Sequence, residues 1–509
     1  MHESHFFRKD ELVSILNGIV DKTLGEVDKN NVFAKTESNP KITGIAGLVI
    51  EQSVMEYPAD TAQRPDLDVD GVPTELKTTG MRLKHSTASC PVYEAKEPAS
   101  ITAVSIPTIA SETFYDSKFW HKAEHMLFVF YHYEAPKAVP AAKYANFHIR
   151  GYRFHKFSED DVEILKKDWQ TVHDFIANIQ LNFSEEDAQK EYPLLSTLIN
   201  KQTAYLDTAP KYPHHPRFRL RKRVISTIIQ QAFNGQHFEK LPDKYFSYSD
   251  VERKCAEITK QFKGHSMADI LQHFGVTINA AKKTQLKACA EQVVVRMFGG
   301  TSTKISNIEL FNKFGYIPKS ITVSATGTRT EDMKLFSVDF DELTESIVYD
   351  ELDGPRAKAF EDSDLYSYFC DSKLMCILFQ EDAPDANGKI HLENNKFLGF
   401  KILDLSDEAF LHEARLAWET ARDTIRNNKL VFIPSLDKNG IPRRAPKTGV
   451  LMGAPNLPKS SDHVVFFRGT GNDATDKIMV QDVPMLRQSY WVKGAYIVNR
   501  LKETHYLEI

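Results

Sequence analysis

A short stretch of alternating charged and apolar residues holds the groups best suited to chemistry. Residues 65–77 read Pro-Asp-Leu-Asp-Val-Asp-Gly-Val-Pro-Thr-Glu-Leu-Lys. An Asp-Gly pair between two alternating runs predicts a β-hairpin with a two-residue turn. Counting outward from that turn places Asp66 opposite Glu75, with side chains about 5 Å apart on one face of the sheet. Lys77 comes two residues later and shares this face, because strand side chains alternate.

Two carboxylates beside an ammonium group suit the metal-dependent hydrolysis of a phosphodiester. Mg²⁺ prefers hard oxygen ligands and keeps several waters, so Asp66, Glu75 and a substrate phosphate would complete its coordination. The metal activates a water molecule and stabilises charge on the phosphate. Lys77 can hold or deprotonate that water and counter the developing negative charge. We therefore predict Asp66, Glu75 and Lys77 as catalytic residues, with the two carboxylates as Mg²⁺ ligands.

Asp68 is the alternative to Asp66. It lies on the same predicted face, opposite Pro73 and one pair nearer the turn. A different turn or a β-bulge would bring Asp68 to the catalytic position instead. An exposed hairpin with solvated charges is the non-catalytic interpretation of the same pattern.

Several motifs along the first half resemble those of a known nuclease family. The hairpin carries the PD-(D/E)xK nuclease signature, and residues 10–233 resemble the MutH and Sau-3A-type endonuclease family, whose restriction enzymes cut GATC. The similar segments are residues 22–27 (KTLGEV), 44–51 (GIAGLVIE), 65–67 (PDL), 71–78 (GVPTELKT), 168–169 (DW) and 218–222 (FRLRK). One departure is the Pro-Thr pair between Gly-Val and Glu75, since the family usually places glutamate directly after Gly-Val. The resemblance implies catalytic roles for Asp66, Glu75 and Lys77, with Glu51 assisting at the metal.

The densest run of basic residues lies at positions 217–223. If this run is a strand, its alternate arginines share one face while the intervening apolar residues face the core. Guanidinium groups in a row suit phosphate contacts, and one of them could read guanine. We predict DNA binding by Arg217, Arg219, Arg221 and Lys222. Lys122 also aligns with a lysine of the family, and we interpret it as an exposed residue at a helix end.

The length and composition indicate several globular domains. The chain has 509 residues, of which 42% are hydrophobic and 26% charged, so two to four domains are expected. Elements of the second half echo those of the first half in the same order, which favours a duplication. The predicted fold is mixed α/β, with two tandem MutH-like restriction-endonuclease-fold domains, each a central mixed sheet flanked by helices. Residues 1–235 would form the catalytic domain, 236–250 a linker and 251–509 the second domain.

The second copy is expected to lack the catalytic groups. Its counterpart to residues 72–77 is predicted at 317–322, where Ser320 and Thr322 replace the glutamate and lysine, and Phe311 takes the position of the first aspartate. A site without carboxylates cannot hold Mg²⁺ in this way. The copy should therefore bind DNA without cutting it, and the resemblance implies an allosteric or dimerising role.

The net charge and the cysteine content limit the possible modes of DNA binding and the cellular compartment. The net charge of −5 provides no general attraction for nucleic acid, so DNA binding must rest on a local basic surface. Five cysteines without a C-x-x-C pair favour a reducing compartment. The sequence shows neither a signal peptide nor a long apolar run, so we expect a cytoplasmic location and no membrane association.

Together these features predict a Mg²⁺-dependent type II restriction endonuclease. By resemblance, it would hydrolyse double-stranded DNA at a short site like GATC, dimerise on DNA and act beside a cognate DNA methyltransferase. The alternatives are a MutH-like strand-nicking endonuclease of mismatch repair and a noncatalytic DNA-binding defence protein.

Overall fold

A computed structural model gives the structure of the chain. It describes residues 5–40, 42, 44–57, 64–87, 90–135, 139–233, 235, 237–276, 291–324, 331–350, 354–388, 390–471, 473 and 475–508. Within these ranges, none of the helices has the length and apolar character needed to cross a membrane. The fold is of the mixed α/β class, as predicted.

A six-stranded mixed sheet organises the first half. Its strands are β1 (Phe6–Phe7), β2 (Leu67–Val69), β3 (Val72–Thr87), β4 (Cys90–Ala95), β6 (Met126–His132) and β7 (Ile149–His155). Their order is β1-β2-β3-β6-β7, and β4 also pairs with β3. Strand β3 runs parallel to β6, and β6 runs antiparallel to β7. A smaller sheet has the order β5 (Ala99–Ala103), β9 (Arg217–Leu220), β8 (Leu206–Ala209).

The predicted hairpin is confirmed. Val69 pairs with Val72 across the turn. Asp70 and Gly71 have φ angles of 52° and 84°, and positive φ at both central residues is typical of the type I′ turn that matches the twist of a hairpin.

Helices cover both faces of the large sheet. They are α1 (Lys9–Asn17), α2 (Lys35–Ser38), α3 (Ile45–Val49), α4 (Lys118–Ala123), α5 (Glu159–Asn182), α6 (Glu185–Glu191), α7 (Leu194–Thr197) and α8 (Lys222–Phe233), and a π-helical turn, Ile50–Val54, extends α3. Because β6 is central, its side chains alternate between two cores. Phe128 and Phe130 share one core with Trp169 of α5, while Leu127 and Val129 belong to the other core, on the opposite face.

The second half contains eleven described strands. They are β10 (Tyr316–Val323), β11 (Met333–Ser337), β12 (Ile347–Asp350), β13 (Gly354–Ala357), β14 (Lys373–Gln380), β15 (Lys396–Asp404), β16 (Phe432–Pro434), β17 (Gly453–Pro455), β18 (Val465–Thr470), β19 (Lys477–Val480) and β20 (Val483–Val492). Its labelled helices are α9 (Tyr248–Phe262), α10 (Met267–His273), α11 (Glu309–Phe314), α12 (Phe340–Thr344), α13 (Asp364–Cys370), α14 (Glu408–Arg426) and α15 (Gly494–Glu503). Residues 291–297 are also helical.

Strand order and orientation recur between the halves. The sheet β10-β14-β15 has the parallel and then antiparallel pairing of β3-β6-β7. The order β11-β20-β18 likewise repeats β5-β9-β8. Trp418 of α14 is buried, as is Trp169 of α5. Arg153 of β7 donates to the carbonyl of Ile228 in α8, and Lys401 of β15 donates to the carbonyl of Leu501 in α15.

The two halves also share a core. One hydrophobic cluster joins Phe218 and Leu220 of the first half with Phe314 and Phe400 of the second. Tyr245, within the predicted linker 236–250, is buried in the same cluster. The segment between the halves is therefore packed into the molecule, and extensive apolar contacts cross it.

Candidate active site

The hairpin turn positions the first acidic residue of the site. The paired register ends with Leu67 opposite Thr74, and extending it by one residue places Asp66 opposite Glu75. The Asp66 carboxylate accepts a hydrogen bond from the backbone N–H of Leu76 at 2.9 Å. On the other side, the His5 ring contacts the Asp66 carbonyl at 2.6 Å. Asp66 is thus fixed between the start of the chain and strand β3.

Glu75 lies at the centre of the site and is held by two lysines. The residue is fully buried, with 0% of its surface exposed. Lys77 Nζ lies 2.8 Å from Oε1 of Glu75. Lys122 Nζ, from helix α4, lies 3.0 Å from both carboxylate oxygens. A buried carboxylate requires such partners, since an unpaired charge away from water costs several kcal/mol.

The pKa values of the site reflect this crowding. Burial raises the pKa of Asp66 to about 6, the charge of Glu75 adds to the rise, and the two lysines oppose it. Burial opposes the charge of Lys77, but Glu75 and Asp66 outweigh it and raise the pKa of Lys77 above its ordinary value. Lys77 is therefore an ammonium ion at neutral pH, suited to donating hydrogen bonds and stabilising negative charge.

Two further carboxylates, Asp68 and Glu51, were predicted candidates. Asp68 accepts a hydrogen bond from the backbone N–H of Gly71 at 2.6 Å, so it stabilises the turn. Glu51 lies in the π-helical turn after α3 and is half-buried. In the described part of the chain, no three His, Cys, Asp or Glu side chains are grouped closely enough to hold a metal. The structure therefore brings together Asp66 and Glu75 as a pair, without a third acidic ligand.

This pair fits the needs of Mg²⁺. Two hard carboxylates on adjacent strands can supply part of an octahedral shell, with the remaining positions left to water and phosphate oxygens. Partial burial and the neighbouring charge of Glu75 raise the pKa of Asp66, and the same two factors favour a cation bound between the carboxylates. Asp66 and Glu75 are the residues that would hold the metal.

The region that contains this site is similar to a known nuclease family. Residues 55–168 match the family of the DNA mismatch repair enzyme MutH. The match contains the whole of the Asp66, Glu75, Lys77 and Lys122 cluster and supports a nuclease of the MutH type. Glu51, the basic strand and the second half lie outside it. Among curated proteins, none matches the chain.

Lys122 is the site residue that sequence reasoning misjudged. We expected an exposed lysine at a helix end, but the residue is 9% exposed and paired with Glu75. The signal available in the sequence was its place in an aromatic and apolar helix, K-F-W-H-K-A, just before a buried strand. Such a helix has its last turn against the sheet, so the lysine points into the site.

The predicted DNA-binding strip needs correction. Phe218 and Leu220 are buried, as expected, but Arg219 makes a bidentate ion pair with Asp207 at 2.7 and 3.0 Å. Arg221 is only 2% exposed and donates to Asp371 of the second half at 2.8 Å. A buried arginine in an internal ion pair cannot contact a phosphate, so Arg221 serves the contact between the halves.

Two members of the strip remain closer to a surface. Arg217 is half-buried, and its positive charge is near enough to Lys77 to act on the pKa of that residue. Lys222 is half-buried at the start of α8, 4.0 Å from Glu94. The predicted row of DNA-facing arginines thus reduces to Arg217 beside the candidate active site.

The second half has no equivalent carboxylate pair at the corresponding registers. Glu75 and Lys77 lie opposite Met126 and Phe128 of β6. In the second half, the strand face that packs against α14 carries Leu374 and Cys376 of β14, and their partners on β10 are Ile317 and Lys319.

The predicted counterparts, Ser320 and Thr322, are therefore wrong, because alternation along β10 turns both to the opposite face. The residues of β10 on the face that packs against α14 are Ile317, opposite Leu374, and Lys319, opposite Cys376. Phe311 is buried in α11 rather than in a strand beside β10.

Proposed function

We propose that the protein is a Mg²⁺-dependent type II restriction endonuclease that hydrolyses double-stranded DNA at a short site resembling GATC. The observation that carries this proposal is the pair of half-buried Asp66 and buried Glu75, with Lys77 and Lys122 bound to Glu75, within the MutH-matched residues. The resemblance to GATC-cutting restriction enzymes supplies the substrate, and a second half with recurring strand order favours that branch over a single-domain nicking enzyme.

Each residue of the site has a role in this reaction. Mg²⁺, when bound, would polarise the phosphate and lower the pKa of a bound water. Asp66 and Glu75 would hold the metal, and water and phosphate oxygens would supply its remaining ligands. Lys77 donates to the attacking water or to the non-bridging oxygens and stabilises the charge that develops on phosphorus. Lys122 keeps the Glu75 carboxylate oriented, and Arg217 binds a neighbouring phosphate.

The second half would bind DNA without hydrolysing it. Support comes from Ile317 and Lys319 on the corresponding face of β10, because neither side chain supplies a carboxylate to a metal. Cleaving both strands with one catalytic half per chain requires two chains on the DNA or two successive cuts. A cognate DNA methyltransferase would protect the host site.

The test uses supercoiled plasmid DNA with several GATC sites and Mg²⁺. The expected products are discrete linear fragments with 5′ phosphates, which disappear for Lys77→Ala and in EDTA. Asp68→Asn is the matched control, since this carboxylate stabilises the turn outside the metal pair. Open-circular DNA that is never linearised would favour strand nicking, and binding without cleavage would favour the noncatalytic alternative.

A further inference from the structure

An exposed basic element of the second half lies outside the candidate active site. Residues 432–455, here called the basic arm, connect helix α14 with the sheet of β18 and β20. The arm contains Lys438, Arg443, Arg444 and Lys447 but only one acidic residue, Asp437. The whole chain, by contrast, carries a net charge of −5. The arm is thus a local cationic surface of the kind that DNA binding requires in an otherwise acidic protein.

Backbone hydrogen bonds give the arm a defined shape. Strands β16 and β17 form its two-stranded base. Beyond the base, the carbonyl of Ser435 accepts from the N–H of Arg443 at 2.7 Å, and the N–H of Met452 donates to the carbonyl of Arg443 at 2.9 Å. Two tight turns follow, at Gly440 and Gly449, with φ angles of 79° and 69°. The result is a pair of short hairpins that holds its cations in fixed positions.

The cationic side chains of the arm are exposed and available to bind a ligand. Apart from Ala445, residues 435–449 are all exposed. The acidic side chain, Asp437, is engaged in its own turn, accepting from the N–H groups of Asn439 and Ile441 at 2.8 and 2.9 Å. Within the described ranges, no carboxylate forms an ion pair with the arm's lysines and arginines, and Arg444 donates only to the carbonyl of Gly449.

Exposed apolar side chains lie among these cations. Leu436 is 57% exposed and Ile441 59%. Neither packs on a core, and large exposed apolar groups in one surface element mark a binding site. A narrow β-ribbon of this kind fits the major groove of DNA, where cations reach the phosphates and apolar groups meet thymine methyls.

We propose that the basic arm is a duplex-DNA-binding element of the second half. It lies in the connection from α14 to β18, whereas the corresponding connection of the first half, between α5 and β8, is built from the helices α6 and α7. The inference rests on the proposed function only in taking DNA as the substrate, and it assigns DNA contact to residues far in sequence from the Asp66–Glu75 pair.

The test compares two variants with the same loss of charge. The arm variant is Lys438→Ala/Arg443→Ala/Arg444→Ala/Lys447→Ala. The control removes four other exposed cations of the second half, Lys260→Ala/Lys304→Ala/Arg426→Ala/Lys502→Ala. Binding of 30-base-pair duplexes with and without GATC is measured by fluorescence anisotropy in EDTA over a series of salt concentrations. A triple variant that retains Arg444 preserves its hydrogen bond to Gly449, and thermal unfolding confirms that each protein is folded.

The arm variant is expected to bind both duplexes at least about 10-fold more weakly. The slope of log K against log salt should become shallower by about one for each phosphate that the arm no longer neutralises, to about four in all. The control should change affinity by less than about 2-fold, because its residues lie outside the arm and salt screens charges that make no direct phosphate contact.

Equal behaviour of the two variants would overturn the inference. It would also be overturned if the arm mediated contact between protein chains, seen as wild-type dimers without DNA that dissociate in Ile433→Ser/Leu436→Ser/Ile441→Ser while DNA binding is unchanged. Plasmid cleavage is measured separately in Mg²⁺. DNA binding that depends on the arm, without cleavage, would support the DNA-binding role of the arm and contradict the proposed nuclease activity. Cleavage together with DNA binding that does not depend on the arm would support the nuclease activity and contradict the role of the arm.

Discussion

Lys122 Nζ lies 3.0 Å from both carboxylate oxygens of Glu75, in the interior of the first half. This contact joins helix α4 to strand β3. It also compensates the charge of a buried glutamate that has a second carboxylate, Asp66, nearby. Lys77 contacts the same glutamate from its own strand. The site therefore contains two negative and two positive groups, and both lysines are paired with Glu75.

Removing Lys122 should affect both activity and stability. In Lys122→Ala, Glu75 keeps only Lys77, so the free energy of unfolding should fall by about 1–3 kcal/mol. Cleavage should slow by about 100-fold, because the metal ligand loses its orientation. Lys143→Ala, at an exposed position of the same half, is the control. Urea unfolding and single-turnover cleavage check both effects, and full activity in Lys122→Ala would contradict the positioning role.

Asp66→Asn should separate stability from function. Because the folded protein raises the pKa of Asp66 to about 6, the ionised carboxylate destabilises the fold above that pH. The amide removes this cost and retains an acceptor for the N–H of Leu76. We expect the melting temperature at pH 8 to rise by about 2–4 °C, with cleavage lost. The gain should disappear below pH 4, where the wild-type carboxyl is protonated in both folded and unfolded states.

Mg²⁺ affinity should depend on the same proton. Above pH 6 the Asp66 carboxylate is ionised and can bind the metal, whereas below pH 6 a proton competes for it. The apparent affinity for Mg²⁺ should therefore fall by about 10-fold per pH unit below pH 6. Cleavage at subsaturating Mg²⁺, measured from pH 5 to 8, would show this slope. A profile that is flat through pH 6 would argue against Asp66 as a ligand.

Arg217, which begins β9, and Arg221, which follows it, should have different roles. Arg221→Ala leaves Asp371 with a weaker partner, Arg223, at 3.4 Å, and should destabilise the protein by about 3 kcal/mol. Arg217→Ala should leave the melting temperature unchanged but weaken DNA binding and reduce the salt slope by about one. Thermal unfolding and anisotropy titrations distinguish the two roles. Weaker DNA binding by Arg221→Ala without loss of stability would instead indicate that Arg221 contacts DNA.

Local sequence was sufficient to predict the hairpin. The Asp-Gly turn fixes the pairing of Val69 with Val72, and from that register the opposition of Asp66 and Glu75 follows by counting. The mixed α/β class could be predicted in the same way, because periodicity and turn chemistry act over a few residues. The recurrence of strand order was visible as collinear motifs.

The tertiary structure decided which charges are free and which are buried. Sequence alternation placed Arg219 and Arg221 on one face, but Asp207 and Asp371 approach that face from other segments. Lys122 was drawn into the site by the packing of α4 against the sheet, and the face of β10 depended on its register with β14. Such contacts join residues far apart in the chain, so a pattern read over a few neighbouring residues carries no information about them.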